Sequence, residues 1–263
     1  MDALERAAFH GHPDEALPIL AALDPDGPVP DRIRWLAGVC LGATGRYAAA
    51  EGWLAPAGEP AGSPAASCLA SHRRQVGRHD LAEPLDQLAL ATATGFSDRA
   101  DALTGLVADA IGRHDLDLVR GRLAVATYWV NSRDVAWREK VRLGWVTAEA
   151  ALLAGDFPTA VAAGRRAEGI SRGATACRHA VKSRLVLGVA LYAAGRSRPA
   201  ARLLRKAAAG ADRLGLIPLV SPARTVLAEI VQVHAPDTAE RERQRGRSAQ
   251  SIIQKPATEG SYG

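Results

Sequence analysis

The sequence predicts an all-α chain in which antiparallel helix pairs recur from end to end. Three observations carry that prediction. The composition is 48% hydrophobic but only 5% aromatic, and alanine is the commonest residue. Ala, Leu and Arg are good helix formers, whereas the β-branched and aromatic residues that fill strands are scarce. Apolar helical runs are broken by single glycines at a near-constant interval. Finally, the pentapeptide Gly-Arg-His-Asp-Leu occurs twice, at Gly77–Leu81 and Gly112–Leu116.

Taking the glycine of that pentapeptide as an anchor gives equivalents at Gly11, Gly45, Gly77, Gly112, Gly155 and Gly195, with spacings of 34, 32, 35, 43 and 40. Each is expected to end a first helix by supplying a left-handed residue at little steric cost. Small residues then fall seven before the anchor (Gly38, Ala70, Gly105, Ala148, Gly188), five after it (Ala50, Ala82, Ala160, Ala200) and twelve after it (Ala57, Ala89, Ala124, Ala167, Ala207). They let the two helices of a pair cross closely. Pro13, Pro158 and Pro199 suit the first turn of the second helix. Asp80 and Asp115 are read as its caps, and His79 and His114 as turn-packing residues in the slot of Tyr47 and Phe157.

On these positions the chain resembles the tetratricopeptide repeat family, whose unit is a 34-residue helix–turn–helix. The clearest copies are Trp35–Ala57 and Leu185–Ala207. Gly38, Tyr47, Ala50, Leu54 and Ala57 match in the first; Leu187, Gly188, Ala200, Leu204 and Ala207 match in the second. The fourth copy departs, with Asp117 and Gly121 where alanine and a large apolar residue belong. The resemblance implies a right-handed α-solenoid of about six repeats. Its long spacings resemble the repeat regions of bacterial regulators, and the excess of 29 Arg over 4 Lys suits a GC-rich, actinobacterial type.

The repeat domain is assigned to residues 1–235. Its last element is a capping helix over Pro222–Ala235, with the apolar stripe Val226, Leu227, Ile230, Val231 and Val233. From Pro236 to Gly263 the polar, arginine-rich chain is expected to stay disordered, because it offers too little apolar surface to bury. Gly58–Pro64 reads as a loop between repeats.

Enzyme chemistry finds little support. Gly169–Gly173 matches Gly-x-Ser-x-Gly, but Ser171 lies between helices rather than on a strand-to-helix turn. His10 and His12, near Asp14 and Glu15, have no third ligand fixed beside them. Cys68 and His72, at i and i+4, share a helix face without further partners. No phosphate-binding glycine loop or paired Cys-x-x-Cys is present. The chain is therefore read as a non-enzyme with no metal and no cofactor. Cys40, Cys68 and Cys177 read as buried, reduced thiols of a cytoplasmic protein. No apolar run approaches the ~20 residues that cross a bilayer, and the first residues do not resemble a secretion signal.

Charge is uneven. Residues 1–112 carry 8 cations against 15 anions, a net of −7; residues 113–234 carry 20 against 9, a net of +11. Helical periodicity places residues 13, 10, 6 and 3 before each anchor on the inner wall of the solenoid. The candidate groove residues read off these columns are Arg32, Trp35, Arg74, Arg99, Arg142, Trp145, Glu149, Lys182 and Tyr192. Aromatics and arginines of this kind dominate binding hot spots. The expected function is a protein-interaction scaffold or regulatory adaptor that holds a segment of a partner protein, of acidic character, in that groove. The alternatives are a nucleic-acid-associated regulator using the basic residues 113–234 and, in third place, a hydrolase using Ser171. Self-association of the acidic half with the basic half of another copy is a further expectation.

Overall fold

Among the described residues, seven helices of this protein, five of them inner and two outer, end on the same backbone device. A residue in the left-handed region follows the helix, and the next amide donates back five residues to a carbonyl of the last turn. In the computed structural model, which describes residues 3–132, 135–232 and 235–253, these amides include Arg46 N to Leu41 O (2.9 Å), Asp156 N to Ala151 O (2.8 Å) and Arg196 N to Leu191 O (2.8 Å). This Schellman closure satisfies carbonyls that the helix leaves orphaned and turns the chain back on itself. The left-handed residues are Gly45, Gly77, His114, Gly155, Thr175, Gly195 and Gly215.

The described residues form fourteen α-helices and no strand. They are α1 (Ala3–Phe9), α2 (Leu17–Ala21), α3 (Asp31–Ala43), α4 (Tyr47–Leu54), α5 (Gly62–Gln75), α6 (His79–Thr92) and α7 (Phe96–Gly112). The remainder are α8 (Leu116–Asn131), α9 (Trp137–Leu153), α10 (Phe157–Gly173), α11 (Cys177–Ala193), α12 (Ser197–Arg213), α13 (Ile217–Val231) and α14 (Pro236–Ile253). Successive helices pair, and the first members α3, α5, α7, α9, α11 and α13 pack side by side into an inner layer. Their partners lie outside. The expected all-α solenoid is the fold observed. Its first pair is abbreviated: Pro13 opens a single 3-10 turn and Pro18 sits in the five-residue α2.

Small residues set the closeness of each pair. Ala50, Ala82, Ala160 and Ala200 are wholly buried, as are Ala89, Ala167 and Ala207. A Cβ on Gly38 would overlap Leu54, and one on Gly188 would overlap Leu204, so these glycines answer to a close approach.

The fourth turn corrects the sequence reading. In the first copy of the pentapeptide Gly77 is left-handed (φ +78°), but in the second the left-handed residue is His114 (φ +58°). Gly112 is still inside α7. Identical residues therefore occupy frames two positions apart. The cause is packing: the imidazole of His79 rests on Gly112, where any Cβ would overlap it. Moving the anchor to residue 114 restores apolar residues five, nine and twelve after it in the fourth copy, although Val107 then falls seven before it, where most other copies have a small residue. Val119, Leu123 and Ala126 take the places assigned to Asp117, Gly121 and Ala124, with Val119 and Ala126 buried. His114 is thus not the counterpart of His79, and only Asp115 caps its helix, accepting from Leu118 N. Asp80 instead pairs with Arg78.

The carboxyl end also differs from expectation. The final capping element starts at Ile217, not Pro222, and Pro222 lies within it. Val233 lies outside the described residues. Pro236–Ile253, expected to be disordered, is helix α14, which completes a seventh pair with α13. It needs little apolar surface because Ala239, Gly246 and Ala249 let its backbone lie close to α13, with Ile253 at the end. Buried Arg224 on α13 pairs with Glu242 on α14 and with Asp212. Residues 254–263 lie outside the described residues.

The superhelix closes on itself. Phe9 of the first pair meets the ring of His179 on α11 at 5.8 Å, and His10 Nδ1 lies 3.3 Å from the carbonyl of Thr175. At the other rim, Ala43 joins one apolar cluster with Val181, Leu216 and Ala249. The concave face is thereby enclosed.

Candidate functional site: a charged channel along the inner helices

Closure leaves a channel-like row of cavities between the inner helices: two chambers of about 430 and 450 Å³ and, sharing lining residues with both, a waist of about 90 Å³. The first chamber lies at the amino ends of α3, α7 and α9 and is lined by Asp31, Arg32, Trp35, Asp98, Asp101 and Glu139, among others. The waist adds Cys68, His72, Arg142, Trp145, Arg178, His179 and Lys182. The second chamber, toward the helices' carboxyl ends, is lined by Arg74, Thr104, Ala108, Ile111, Arg142, Glu149 and Lys182.

Seven of the nine expected groove residues meet here: Arg32, Trp35, Arg74, Arg142, Trp145, Glu149 and Lys182. Arg99 and Tyr192 do not. The two-residue shift at His114 explains Arg99: the residue thirteen before the true anchor is Asp101, which does line the channel. Arg99 lies instead over the ring of Trp129, 5.3 Å from its centroid. Tyr192 packs with Leu152, Leu203 and Ile230 against the core between pairs.

The two tryptophans are at once wall and core. Trp145 is 6% exposed; its indole donates to Ser183 Oγ (2.8 Å) and stacks on His179 at 5.3 Å. The ammonium of Lys182 stands 4.5 Å above its centroid. Trp35 presents its ring to the Arg138 guanidinium at 5.3 Å. Cations over indole faces are held by the ring quadrupole, more strongly where water is excluded.

Sequence columns missed Arg138, Glu139, Arg178 and His179. All lie sixteen or seventeen residues before Gly155 or Gly195, one turn beyond the columns read. They reach the channel because α9 and α11 each run for 17 residues.

Ion pairs order the lining. Arg138 pairs with Asp101 and, at 3.3 Å, with Glu139; Arg142 Nε lies 2.8 Å from Asp101. Although burial opposes its charge, Asp101 and Glu139 hold Arg138 above its ordinary value. Burial pushes Arg142, Arg178 and Lys182 below theirs. Beneath the second chamber, Arg74 bridges two wholly buried carboxylates, Asp86 and Asp109, the latter at 3.0 Å. Burial drives the Asp86 carboxyl up to about 7 against the pull of Arg74, and the nearby Asp109 charge adds to the rise.

The Cys68–His72 pair is in the waist, Sγ to Nε2 3.6 Å. Burial raises the thiol to about 11 and lowers the imidazole to about 3. Neither value suits a thiolate nucleophile and its base at neutral pH. His72 stacks on Tyr47 at 4.8 Å and fills the gap left by Gly42. Cys40 is buried as expected, but Cys177 is exposed, because it opens α11 just after the Thr175 turn. Ser171 is wholly buried within α10 and bonds Glu168 O (3.1 Å) and Ser183 Oγ (3.3 Å). That position gives it none of the exposure of a nucleophile elbow. Among the described residues no cluster of three metal-ligating side chains occurs, and no helix is long and apolar enough to cross a membrane.

No protein-family model matches the chain, and no curated protein matches it. Solved structures do. A Rap protein complexed with competence and sporulation factor superposes with a TM-score of 0.68 at 13% identity, covering 92% of this chain and 71% of that one. Aspartyl phosphate phosphatase F from Bacillus subtilis gives 0.53 at 12% identity; this chain is covered over 90% of its length and spans 60% of the phosphatase. Nearly identical TPR-like repeats of a Podosopora anserina kinesin light chain score 0.46, too distant in shape to add to this. The fold is that of the tetratricopeptide-like helical repeat proteins.

Proposed function

We propose that this chain is a non-enzymatic regulatory scaffold that holds an extended segment of a partner protein or peptide in its central channel. The observation that carries this is the waist, where Trp35 and Trp145 each lie under a cation and Arg142, Arg178 and Lys182 face the same space. Rigid aromatics and arginines in an enclosed, largely desolvated site are the composition of binding hot spots. A fold neighbour is a Rap protein complexed with competence and sporulation factor, which agrees with use of this solenoid to hold a ligand. The anionic side of such a segment meets the waist cations. The test is affinity purification from the source cells, with mass spectrometry of what is retained. The Arg142→Gln/Lys182→Gln double variant, still folded by circular dichroism, should lose what the wild type holds. Retention of the same set by both would overturn the reading.

A second reading rests on the outer face. Arg165, Arg166, Arg172, Arg198, Arg202, Arg205, Lys206 and Arg213 are exposed on α10 and α12, and the acids of those helices, Glu168 and Asp212, already face arginines. That surface suits nucleic-acid phosphates. A gel shift at low salt that fades steeply as salt is added would establish it; no shift at low salt would remove it.

A further inference from the structure

The channel is electrically polar along its axis. The Glu5–Arg32 and Asp101–Arg138 pairs cancel within the lining. What remains is Asp31, Asp98 and Glu139 on the chamber side and Arg142, Arg178 and Lys182 on the waist side, a net of −3 facing a net of +3. The two sets are divided by the Asp101–Arg138 pair. Asp31 is exposed, but Asp98 and the three cations are half-buried. Glu139 is only 3% exposed, and its Oε2 has no hydrogen-bond partner among the described residues. An unsatisfied buried carboxylate oxygen is costly, so a donor arriving from the chamber recovers that cost.

On the waist side Arg178 has no acidic partner among the described residues. Three cations there share a space of about 90 Å³. Asp101 also offsets part of the charge of Arg142, and the repulsion between Arg178 and Lys182 in this partly desolvated cavity is relieved by an incoming anion. Burial also holds the Glu139 carboxyl above its ordinary range, against the pull of Arg138 on its other oxygen.

Resting on the reading that the channel holds a peptide segment, we infer that it does so in one direction. The free amino terminus of the segment lies in the Asp31–Asp98–Glu139 chamber, and an acidic side chain farther along lies in the Arg142–Arg178–Lys182 waist. The spacing follows from α9. Glu139 and Glu149, which line the two chambers, are ten residues apart (149 − 139), and at 1.5 Å per residue that is about 15 Å. An extended chain covers this in about five residues. The waist lies between these two points, so the positive group should precede the acidic one by fewer than those five positions, about two to four.

The experiment is selection from a random heptapeptide library, amino and carboxyl ends free, on immobilised full-length protein, with the retained peptides sequenced by mass spectrometry. Retained peptides should carry Asp or Glu two to four residues after their free amino end. Against a selected peptide, Asp98→Asn/Glu139→Gln should lower affinity by about tenfold and erase the preference for the free amino end. Arg178→Gln should erase the acidic preference by a similar factor. Enrichment with the charges reversed, or with no charge order, overturns the direction while leaving peptide binding standing. No enrichment over a bare support overturns peptide binding itself, and the direction with it. Should Glu139→Gln fail to fold, Asp98→Asn alone carries the test of the acidic chamber.

Discussion

His114 adopts φ +58° although its side chain carries a Cβ, and Gly112, which does not need a left-handed conformation, lies two residues before it. A non-glycine residue in that region costs about 1–2 kcal/mol. His114→Gly should therefore stabilise the protein by about 0.5–1 kcal/mol after the extra flexibility of glycine in the unfolded chain is counted. Gly112→Ala should destabilise by about 1–3 kcal/mol, because its methyl enters the His79 ring. Urea unfolding of both variants checks this, and a reversal of the two signs would return the anchor to Gly112. Sequence could not distinguish the two copies of the pentapeptide, because the deciding contact is a ring from a neighbouring pair. His72 supplies a second residue-level test. Its imidazole is held near 3 in the folded protein by burial but titrates near its ordinary value of 6.5 when unfolded. Its lowered folded value means stability is fully present above 6.5 and drains away as pH falls toward 3. His72→Gln loses packing on Tyr47 at pH 7.5, but has no imidazole to protonate when unfolded. Its deficit relative to wild type should shrink by about 1.4 kcal/mol per pH unit below 6.5. A deficit that stays constant between pH 7.5 and 5.5 in denaturant melts would contradict the buried neutral imidazole.

Helix α14 tests the account of elements. Read as a polar stretch, Pro236–Ile253 had no reason to fold, because its mean composition hides the spacing of Ala239, Gly246, Ala249 and Ile253. Those small residues bury backbone against α13 rather than large side chains, a contribution that a count of apolar residues does not register. Truncation after Ala235 should lower the melting temperature by several degrees and increase dye binding to exposed apolar surface. Glu242→Ala alone should cost about 1–2 kcal/mol by leaving buried Arg224 to the half-exposed Asp212. A truncated chain as stable as the full one would restore the tail as an appendage. Where a repeat is regular, its inner columns were largely legible: Arg142, Trp145, Glu149 and Lys182 stand where counting back from Gly155 and Gly195 put them, although Tyr192, counted from Gly195, packs in the core. Where the anchor slipped, the count selected Arg99 instead of Asp101.

Enclosure was not legible in any single repeat. It arises when Phe9 reaches His179 and Ala43 reaches Leu216, contacts that span most of the sequence and depend on the accumulated twist of seven pairs. It converts a shallow groove into a channel whose cations are half removed from water and so better able to hold an anionic partner. The uneven charge seen along the chain acquires a spatial meaning, since acids from α3, α7 and α9 line one chamber and cations of α9 and α11 line the waist. The central claim is that binding happens inside this channel and not on the basic exterior. It is tested most directly by titrating the partner segment against two variants with equal charge loss, Arg142→Gln/Lys182→Gln inside and Arg202→Gln/Arg205→Gln on the outer face of α12. The interior pair should weaken binding by at least about tenfold while the exterior pair leaves it within about twofold of wild type. Equal losses, or a loss confined to the exterior pair, would contradict the account.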